Sequence, residues 1–296
     1  MRISDQQVTD MREYQVNNAY DLLTQAQTVL STGRQINSPA DDPSGTGTAL
    51  SLQDQLSQNA AFLTTANDAE SWMQTTSNAL NGVNSALLSV RTLGVQGAND
   101  TLTQDERAAL ANQVGQLIQQ GVQAANATYN GQYVLSGQKT LTIPFTASVA
   151  GDGSTAVTYQ GDGGAINREL SSGVVSQINV PGSNALPVVF SAMSQLQSDL
   201  LTGNAATISG DLATIDHAQS GLLLAQTTGG AITNRITAVQ GSLQTAVTTL
   251  TTQYSGIVNA DFAKATVDFN ARNTTYQAAL TVAAKVVQSS LMDFLK

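Results

Sequence analysis

Both ends of this 296-residue chain carry sparse apolar residues at helical spacing. Near the N-terminus these residues are Val8, Met11, Leu22 and Val29, and near the C-terminus they are Phe262, Phe269, Tyr276, Leu280, Val287, Leu291 and Phe294. A narrow apolar stripe is typical of a coiled-coil seam rather than of the broad face of a globular helix. We therefore predict that the two ends form long helices that pair along this seam.

The interior of the chain has helical spacing except in one segment. Helical periods cover residues 48–95, 104–129, 188–201 and 204–254, whereas residues 140–180 have β-rich runs separated by turns such as "GDG" and "SSG". The pattern predicts a mainly α fold: a long antiparallel helical bundle and coiled coil built from both chain ends, with a small β-rich inserted domain.

Local signals set the expected boundaries inside this fold. Thr103 and Glu106 have the spacing of a capping box at a helix start. Asn130-Gly131 predicts a tight turn, and "QYVLSG" after it predicts a short strand. We expect a terminal coiled-coil domain, a helical bundle domain and a β-insertion domain, formed respectively by residues 1–40 with 256–296, 41–138 with 186–255, and 139–185.

Composition excludes several classes of function. The chain has no Cys and one His, which rules out thiolate chemistry and histidine-cluster metal sites within one chain. A net charge of −9 without a basic block argues against nucleic-acid binding. No stretch approaches the roughly 20 apolar residues of a membrane span, so we expect no membrane insertion. The first residues, "MRISDQQVTD", lack the pattern of a cleavable signal peptide.

Three places could carry chemistry, and each is better explained as structure. The loop 31–47 contains Asp41 and Asp42, but it lacks the ligand spacing of a calcium loop and the lysine of a phosphate loop. Asp42 or Ser44 can instead cap the next helix, with Pro43 in its first turn. "GDGG" at 161–164 suits a hairpin loop. Asp216 and His217 are helix neighbours that point apart, so His217 is expected at the surface; we expect no cofactor and no enzyme activity.

The loop sequence resembles a family signature. "STGRQINSPADDPSG" is similar to the S-[TG]-x-[KR]-[IV]-N-[ST]-x-x-D-D-[AP]-x-G motif of bacterial flagellins and flagellar hook-associated proteins. Its key places hold Ser31, Gly33, Arg34, Ile36, Asn37, Asp41, Asp42 and Gly45. The end of the chain, from Asp261 onward, resembles the C-terminus of the same family. Within the family, "NGQYVLSGQKTLTIPF" and "VTYQGDGGAINREL" are most similar to the hook–filament junction proteins known as hook-associated protein 3.

The resemblance implies a structural role outside the cell. It implies export through the flagellar type III apparatus with an uncleaved N-terminus, an export chaperone, and a place at the hook–filament junction. Expected partners are further copies of the chain in a helical or ring assembly, hook-associated protein 1 and flagellin. The loop would be the joint between inner coiled coil and outer bundle, fixed through Arg34, Asn37, Asp41 and Asp42.

Two other interpretations stay open from the sequence. A minor flagellin that forms the filament itself would share both terminal motifs, and only the region from "GQYVLSG" through the β-insertion speaks against it. A more distant alternative is an enzyme or adhesin that uses the β-insertion, although no convergent catalytic set supports it.

Overall fold

The computed structural model describes the backbone of residues 2–294 and the side chains of residue 7 and residues 9–285. The helices are α1 (Arg2–Thr32), α2 (Pro43–Gly97), α3 (Gln104–Ala125), α4 (Leu186–Thr202), α5 (Ala205–Val258) and α6 (Phe262–Phe294). The strands are β1 (Thr128–Tyr129), β2 (Gln132–Tyr133), β3 (Phe145–Val149), β4 (Thr155–Tyr159), β5 (Asn167–Ser171) and β6 (Val174–Gln177). The predicted mainly α fold with a small β region is confirmed.

The helix boundaries follow the local signals in the sequence. Thr103 and Glu106 form the predicted capping box, because the Thr103 side chain accepts from the Glu106 backbone and the Glu106 side chain accepts from the Thr103 backbone. α3 ends at Ala125, four residues earlier than predicted, since the chain turns there into β1. The long helices α2 and α5 stay continuous through internal glycines, which tertiary packing tolerates.

The β region consists of three separate hairpins rather than one sheet. β1 and β2 pair across Asn130-Gly131, where both residues have positive φ, as the tight-turn prediction requires. The predicted strand over residues 132–137 is wrong beyond Tyr133, because the chain turns again after two residues. In the 140–180 segment, β3 pairs with β4 and β5 pairs with β6, both antiparallel.

The chain divides into two compact units. One unit contains residues 1–58 and 246–296, and the other contains residues 59–245. In the first unit, α1 packs against α6, which agrees with the predicted pairing of the two ends. The three-domain division expected from the sequence stays a prediction.

The unit formed by residues 59–245 holds a continuous apolar core. Phe145 from β3 packs against Phe190 from α4, with ring centroids 5.2 Å apart. Trp72 and Met73 are buried in this core. The β hairpins therefore share one core with the helices of this unit. Among the helices described, none is apolar over a length that could cross a membrane.

Candidate assembly joint

The loop after α1 contacts the break between α5 and α6. The Gln35 N–H donates to the Val258 carbonyl at 2.7 Å, and the Ala260 N–H donates to the Gly33 carbonyl at 2.9 Å. Arg34 and Asn259 form an isolated antiparallel bridge between these bonds. Two breaks between helices, about 220 residues apart in sequence, are thus joined by backbone hydrogen bonds. Both segments belong to the unit of residues 1–58 and 246–296.

Gly33 ends α1 at the first of these breaks. Its φ of +66° lies in the left-handed region, and its N–H donates to the Val29 carbonyl at 2.9 Å. This arrangement is a common way to end an α-helix, and it favours glycine because a Cβ is strained there. The backbone conformation at the end of α1 therefore explains why the motif has glycine at position 33.

Asp41 folds the centre of the loop. Its carboxylate accepts from the backbone N–H of Ser38 at 2.7 Å and of Asn37 at 2.9 Å. These two bonds, with that of Ser38 the stronger, hold the pKa of Asp41 below its ordinary value. Asn37 in turn donates through Nδ2 to the Arg34 carbonyl at 2.8 Å. Asp41 and Asn37 therefore organise the loop backbone.

Asp42 begins the next helix. Its Oδ1 accepts from the Gly45 N–H at 2.9 Å, and Pro43 is the first helical residue, so the capping role expected for Asp42 is present. A Cβ on Gly45 would lie 2.7 Å from Ile36 Cδ1 and even closer to Asp42 Oδ2. Ile36 is buried in the loop. Gly45 is thus required at its motif position because it packs closely against two other motif residues, Ile36 and Asp42.

Arg34 has a partner that the sequence reasoning missed. Its Nη2 donates to the Tyr254 hydroxyl, 3.4 Å away near the end of α5. Ser31 donates to the Thr28 carbonyl in the last turn of α1.

On the opposite side of the joint, at the start of α6, the one sequence signal is Asp261. Its carboxylate caps α6 by accepting from the N–H groups of Ala263 and Lys264. A groove of about 480 Å³ beside the joint is lined by Val29, Gln35 and residues of the first turns of α6.

The predicted seam residues are only partly buried in this unit. Leu22, Val29, Phe269 and Tyr276 are half-buried between α1 and α6, and the Tyr20 and Tyr276 rings lie 5.6 Å apart. Met11, Phe262 and Leu280 are exposed. Val8, Val287, Leu291 and Phe294 lie outside the residues whose side chains are described. The most buried positions of α1 are instead the small residues Ala19 and Ala26.

A second polar network ties the "GQYVLSG" segment to the "YQGD" segment in the unit of residues 59–245. The carboxylate of Asp162 accepts from the Gln138 N–H at 2.7 Å and from the Gly164 N–H at 3.0 Å, which lowers its pKa. The Tyr159 hydroxyl lies 2.8 Å from the Asp162 carbonyl and 3.1 Å from the Leu135 carbonyl. Burial raises the pKa of Tyr159 to about 12. These residues hold the turn before the 140–180 insertion.

The other candidate residues have structural surroundings. Asp216 pairs with Arg91 on α2 at 2.7 Å, and His217 is exposed, as expected. Across the described residues, no three His, Asp or Glu side chains are grouped as a metal site requires. The arrangement of the joint can therefore order the backbone of the loop and present a surface.

Two family regions match the chain over the segments that form this joint. Residues 3–140 match the bacterial flagellin N-terminal helical region, and residues 212–295 match the bacterial flagellin C-terminal helical region. The chain belongs to the bacterial flagellin family. The N-terminal flagellin region includes the whole loop 31–47, and the C-terminal region includes Tyr254 and Asn259 on its opposite side.

Relatives of the chain include both flagellar hook-associated proteins and flagellins. Flagellar hook-associated protein 3 of Salmonella typhimurium is 29% identical over 165 residues, which cover 55% of this chain and 52% of that protein. A flagellin of Clostridium tyrobutyricum is 36% identical over 124 residues, covering 42% of this chain and 32% of that protein. The chain thus spans about half the length of the first relative and a third of the second.

The fold also resembles a solved member of the family. Flagellar hook-associated protein 3 from Legionella pneumophila superposes with a TM-score of 0.60 at 15% identity, over 70% of this chain and 98% of that chain. At this identity the likeness concerns the fold alone. It agrees with the mainly α architecture and the small β region of this flagellin-family chain.

Proposed function

We propose that this chain is a structural adaptor of the bacterial flagellum and has no enzyme activity. In this proposal it joins the hook, through hook-associated protein 1, to the flagellin filament by templated helical assembly. The observation that carries the proposal is the exposed apolar surface of the paired terminal helices α1 and α6. The names of its relatives, which include hook-associated protein 3, support the junction rather than the filament as its place.

The exposed surface includes large apolar side chains from both chain ends. They are Met11, Tyr14, Tyr20, Phe262, Val267, Leu280 and Val282, all at least 42% exposed. Burying such surface contributes about 25 cal/mol per Å². Contacts between copies would therefore stabilise the terminal helices, and a repeated contact of this kind that does not close on itself gives an open helical stack.

The joint has a definite role in this proposal. The hydrogen bonds of Gly33 and Gln35 with residues 258–260 hold the ends of α1 and α5 together. Asp41 and Asp42 fix the loop and the start of α2, so the apolar surface of the terminal helices is presented in one register. We expect Arg34 and Asn37 to contribute to the same presentation.

The proposal extends to how the chain reaches its site. We infer export through the flagellar type III apparatus with the N-terminus uncleaved, and a final location outside the cell at the hook–filament junction. An export chaperone that covers the C-terminal helix would keep its apolar surface from associating before export. These partners are proposed from the family resemblance.

Replacing the two joint aspartates tests the proposal. In a strain that depends on this chain for motility, Asp41→Ala with Asp42→Ala should reduce the number of attached filaments, because the loop backbone loses three hydrogen bonds to these carboxylates. Asp54→Ala is the matched control, since it removes an exposed aspartate of α2 outside the loop. Circular dichroism should show the double variant folded. Unaltered motility of the double variant would contradict the role of the joint.

A minor flagellin is the second candidate, favoured by the 36% identity to the Clostridium flagellin. Filament seeds separate the two functions. The purified chain should bind to seeds capped with hook-associated protein 1 and stop after a limited layer. Continuous growth of long filaments from flagellin seeds would indicate a flagellin instead.

A further inference from the structure

The dipeptide Asn-Gly occurs at two places in the chain, Asn81-Gly82 and Asn130-Gly131. This pair readily loses the side-chain amide of asparagine, because glycine has no Cβ to shield its backbone nitrogen from the asparagine side chain. The reaction needs a carboxamide that is free of other contacts and a main chain that can bring the next nitrogen onto it. The two sites differ in both respects.

Asn130 lies at the tip of the β1–β2 hairpin. Asn130 and Gly131 are both exposed, and in the described part of the chain the Asn130 carboxamide has no hydrogen-bond partner. A Cβ built on Gly131 meets no atom within 4 Å, so the space around the reacting nitrogen is open. The hairpin consists of two residue pairs, and so short a ribbon is weak by itself. The main chain at Asn130 can therefore leave the turn conformation often enough to react.

Asn81 lies well inside the 55-residue helix α2. There the Gly82 N–H belongs to the hydrogen-bond ladder of the helix. The Asn81 carboxamide is also engaged, because its Oδ1 accepts from Gln226 Nε2 at 3.0 Å. Gly82 packs closely on α3, since a Cβ there would lie 2.8 Å from Ala124 Cβ. Freeing this site means opening a packed helix in its interior, which protects Asn81.

Two aspartates that precede a glycine could form the same cyclic imide more slowly, and both are held. The Asp152 carboxylate accepts from Ser154, and its other oxygen accepts from the Ser198 hydroxyl at 2.7 Å. The Asp162 carboxylate accepts from the Gln138 N–H at 2.7 Å. Of these glycine-preceding sites in the described chain, Asn130 thus combines an exposed side chain with a free reacting group.

We propose that Asn130 is a site of spontaneous deamidation, converted with time to aspartate and isoaspartate. The backbone nitrogen of Gly131 forms a bond to Cγ of Asn130, the bond from Cγ to Nδ2 breaks, and the backbone amide proton leaves with Nδ2 as ammonia. Water then opens the cyclic imide. Its addition to the side-chain carbonyl gives aspartate, and its addition to the main-chain carbonyl gives isoaspartate. The one co-reactant is water.

The two products should affect the hairpin differently. Aspartate tolerates the left-handed conformation and adds a negative charge to an unchanged main chain. Isoaspartate places an additional carbon atom in the main chain of the turn, so β1 and β2 cannot keep their register. Tyr129 of β1 packs edge-on against Trp72 at a ring-centroid distance of 6.1 Å and donates to Asp68 at 3.0 Å. Loss of the register would therefore change the surroundings of Trp72, the single tryptophan.

Peptide mapping of the full chain by mass spectrometry tests the site. During incubation in mildly alkaline buffer, aspartate and isoaspartate should accumulate at position 130 more than about tenfold faster than at position 81, because the helical site opens far less often. A synthetic peptide of residues 126–135 gives the rate without the fold. An Asn130 that stays intact in the chain while this peptide is converted would overturn the proposal, as would equal conversion of both asparagines.

Matched variants assign the reaction to one residue. Asn130→Gly removes the amide and keeps a residue suited to positive φ, so it should abolish isoaspartate formation in this segment. Asn81→Gln removes the other Asn-Gly pair and should leave the reaction unchanged. Isoaspartate that forms in this segment of the Asn130→Gly variant at the wild-type rate would overturn the assignment.

A further variant separates the effect of the altered main chain from that of the charge. Freshly purified Asn130→Asp carries the charge of the products on a normal main chain, so its Trp72 fluorescence should match that of fresh wild type. In aged wild type the fluorescence should shift in proportion to the isoaspartate content. Aged protein rich in isoaspartate with unchanged Trp72 fluorescence would contradict the proposed loss of hairpin register.

Discussion

The two units of this chain bury their apolar residues very differently. In the unit of residues 59–245, large side chains such as Leu87, Ile118 and Phe190 are at most 1% exposed. In the unit of residues 1–58 and 246–296, most of the buried positions are small or sit near the joint, and residues such as Met11 and Phe262 face solvent. The unit of residues 59–245 completes its own core, whereas the terminal helices leave apolar surface available to another molecule.

The sequence therefore meets two different demands, the folding of a single chain and the contacts that form on assembly. Dense packing of large side chains stabilises the fold of a single chain. A helix in a protein gains most of its stability from tertiary packing of its apolar face. A narrow apolar stripe on long helices therefore stabilises little in one copy. The terminal unit therefore suits contacts that form on assembly, and substitutions in the two units should have opposite consequences for folding and for assembly.

The largest expected effect compares two phenylalanines. Phe190→Ala should lower the free energy of unfolding by about 3–5 kcal/mol, because it leaves a cavity beside Phe145. Phe262→Ala, at a residue 67% exposed, should change it by less than about 0.5 kcal/mol and yet weaken binding to seeds capped with hook-associated protein 1. Urea unfolding followed by the fluorescence of Trp72, the single tryptophan, reports on the buried core. Equal destabilisation by the two substitutions would contradict the contrast.

A smaller effect is expected from two glycines at the start of α2. Gly47→Ala should stabilise the chain by about 0.5–1 kcal/mol, because a Cβ there meets no atom and alanine favours the helix. Gly45→Ala should destabilise it, because its Cβ would displace the capping Asp42 carboxylate and Ile36, and losing a cap costs about 1 kcal/mol. Urea midpoints measured by circular dichroism compare the two. A stabilising Gly45→Ala would show that the joint is loosely packed.

Acid should weaken the larger unit through Asp152. Its carboxylate accepts from the Ser154 side chain and backbone and from the Ser198 hydroxyl, which lowers its pKa to about 2. The stability from these bonds is present above pH 3.8 and is lost as pH falls toward 2. Asp152→Asn should therefore lower the melting temperature at neutral pH and reduce its fall in acid. A wild-type acid response retained in full by this variant would exclude Asp152 as a contributor.

The smallest expected effect concerns the exposed ion pair of Arg91 and Asp216. Both side chains are 41–50% exposed, so Arg91→Ala should have only a small cost in stability. The cost should shrink further in high salt, because ions screen exposed charges. Urea unfolding at low and high salt measures both. A salt-independent loss of several kcal/mol would mean that Arg91 stabilises the bundle by packing rather than by charge.

Local signals in the sequence were enough to predict the helices, the capping box at Thr103 and the turn at Asn130-Gly131. The loop motif was also found from sequence, including the capping role of Asp42. The partner of Arg34 was not, because Tyr254 is 220 residues away and nothing in a helical stripe marks one tyrosine as a hydrogen-bond acceptor. The strand expected over 132–137 was overestimated, since β propensity does not reveal that the Ser136 carbonyl accepts from the distant Asp162 N–H instead of from a neighbouring strand.

The ion pair of Arg91 with Asp216 illustrates the same limit. Each residue by itself has the pattern of a solvated helix residue, and only the placing of α2 beside α5 brings the guanidinium and the carboxylate to 2.7 Å. Sequence patterns report the face of a helix, while the pairing of polar groups between helices depends on the register at which those faces meet.

The most direct measurement of the adaptor function is to locate the chain on an intact flagellum. An antibody against residues 140–180, imaged by electron microscopy, would mark its position. We expect one narrow band of label at the boundary between hook and filament. Label along the whole filament, or none on the flagellum, would contradict a junction adaptor.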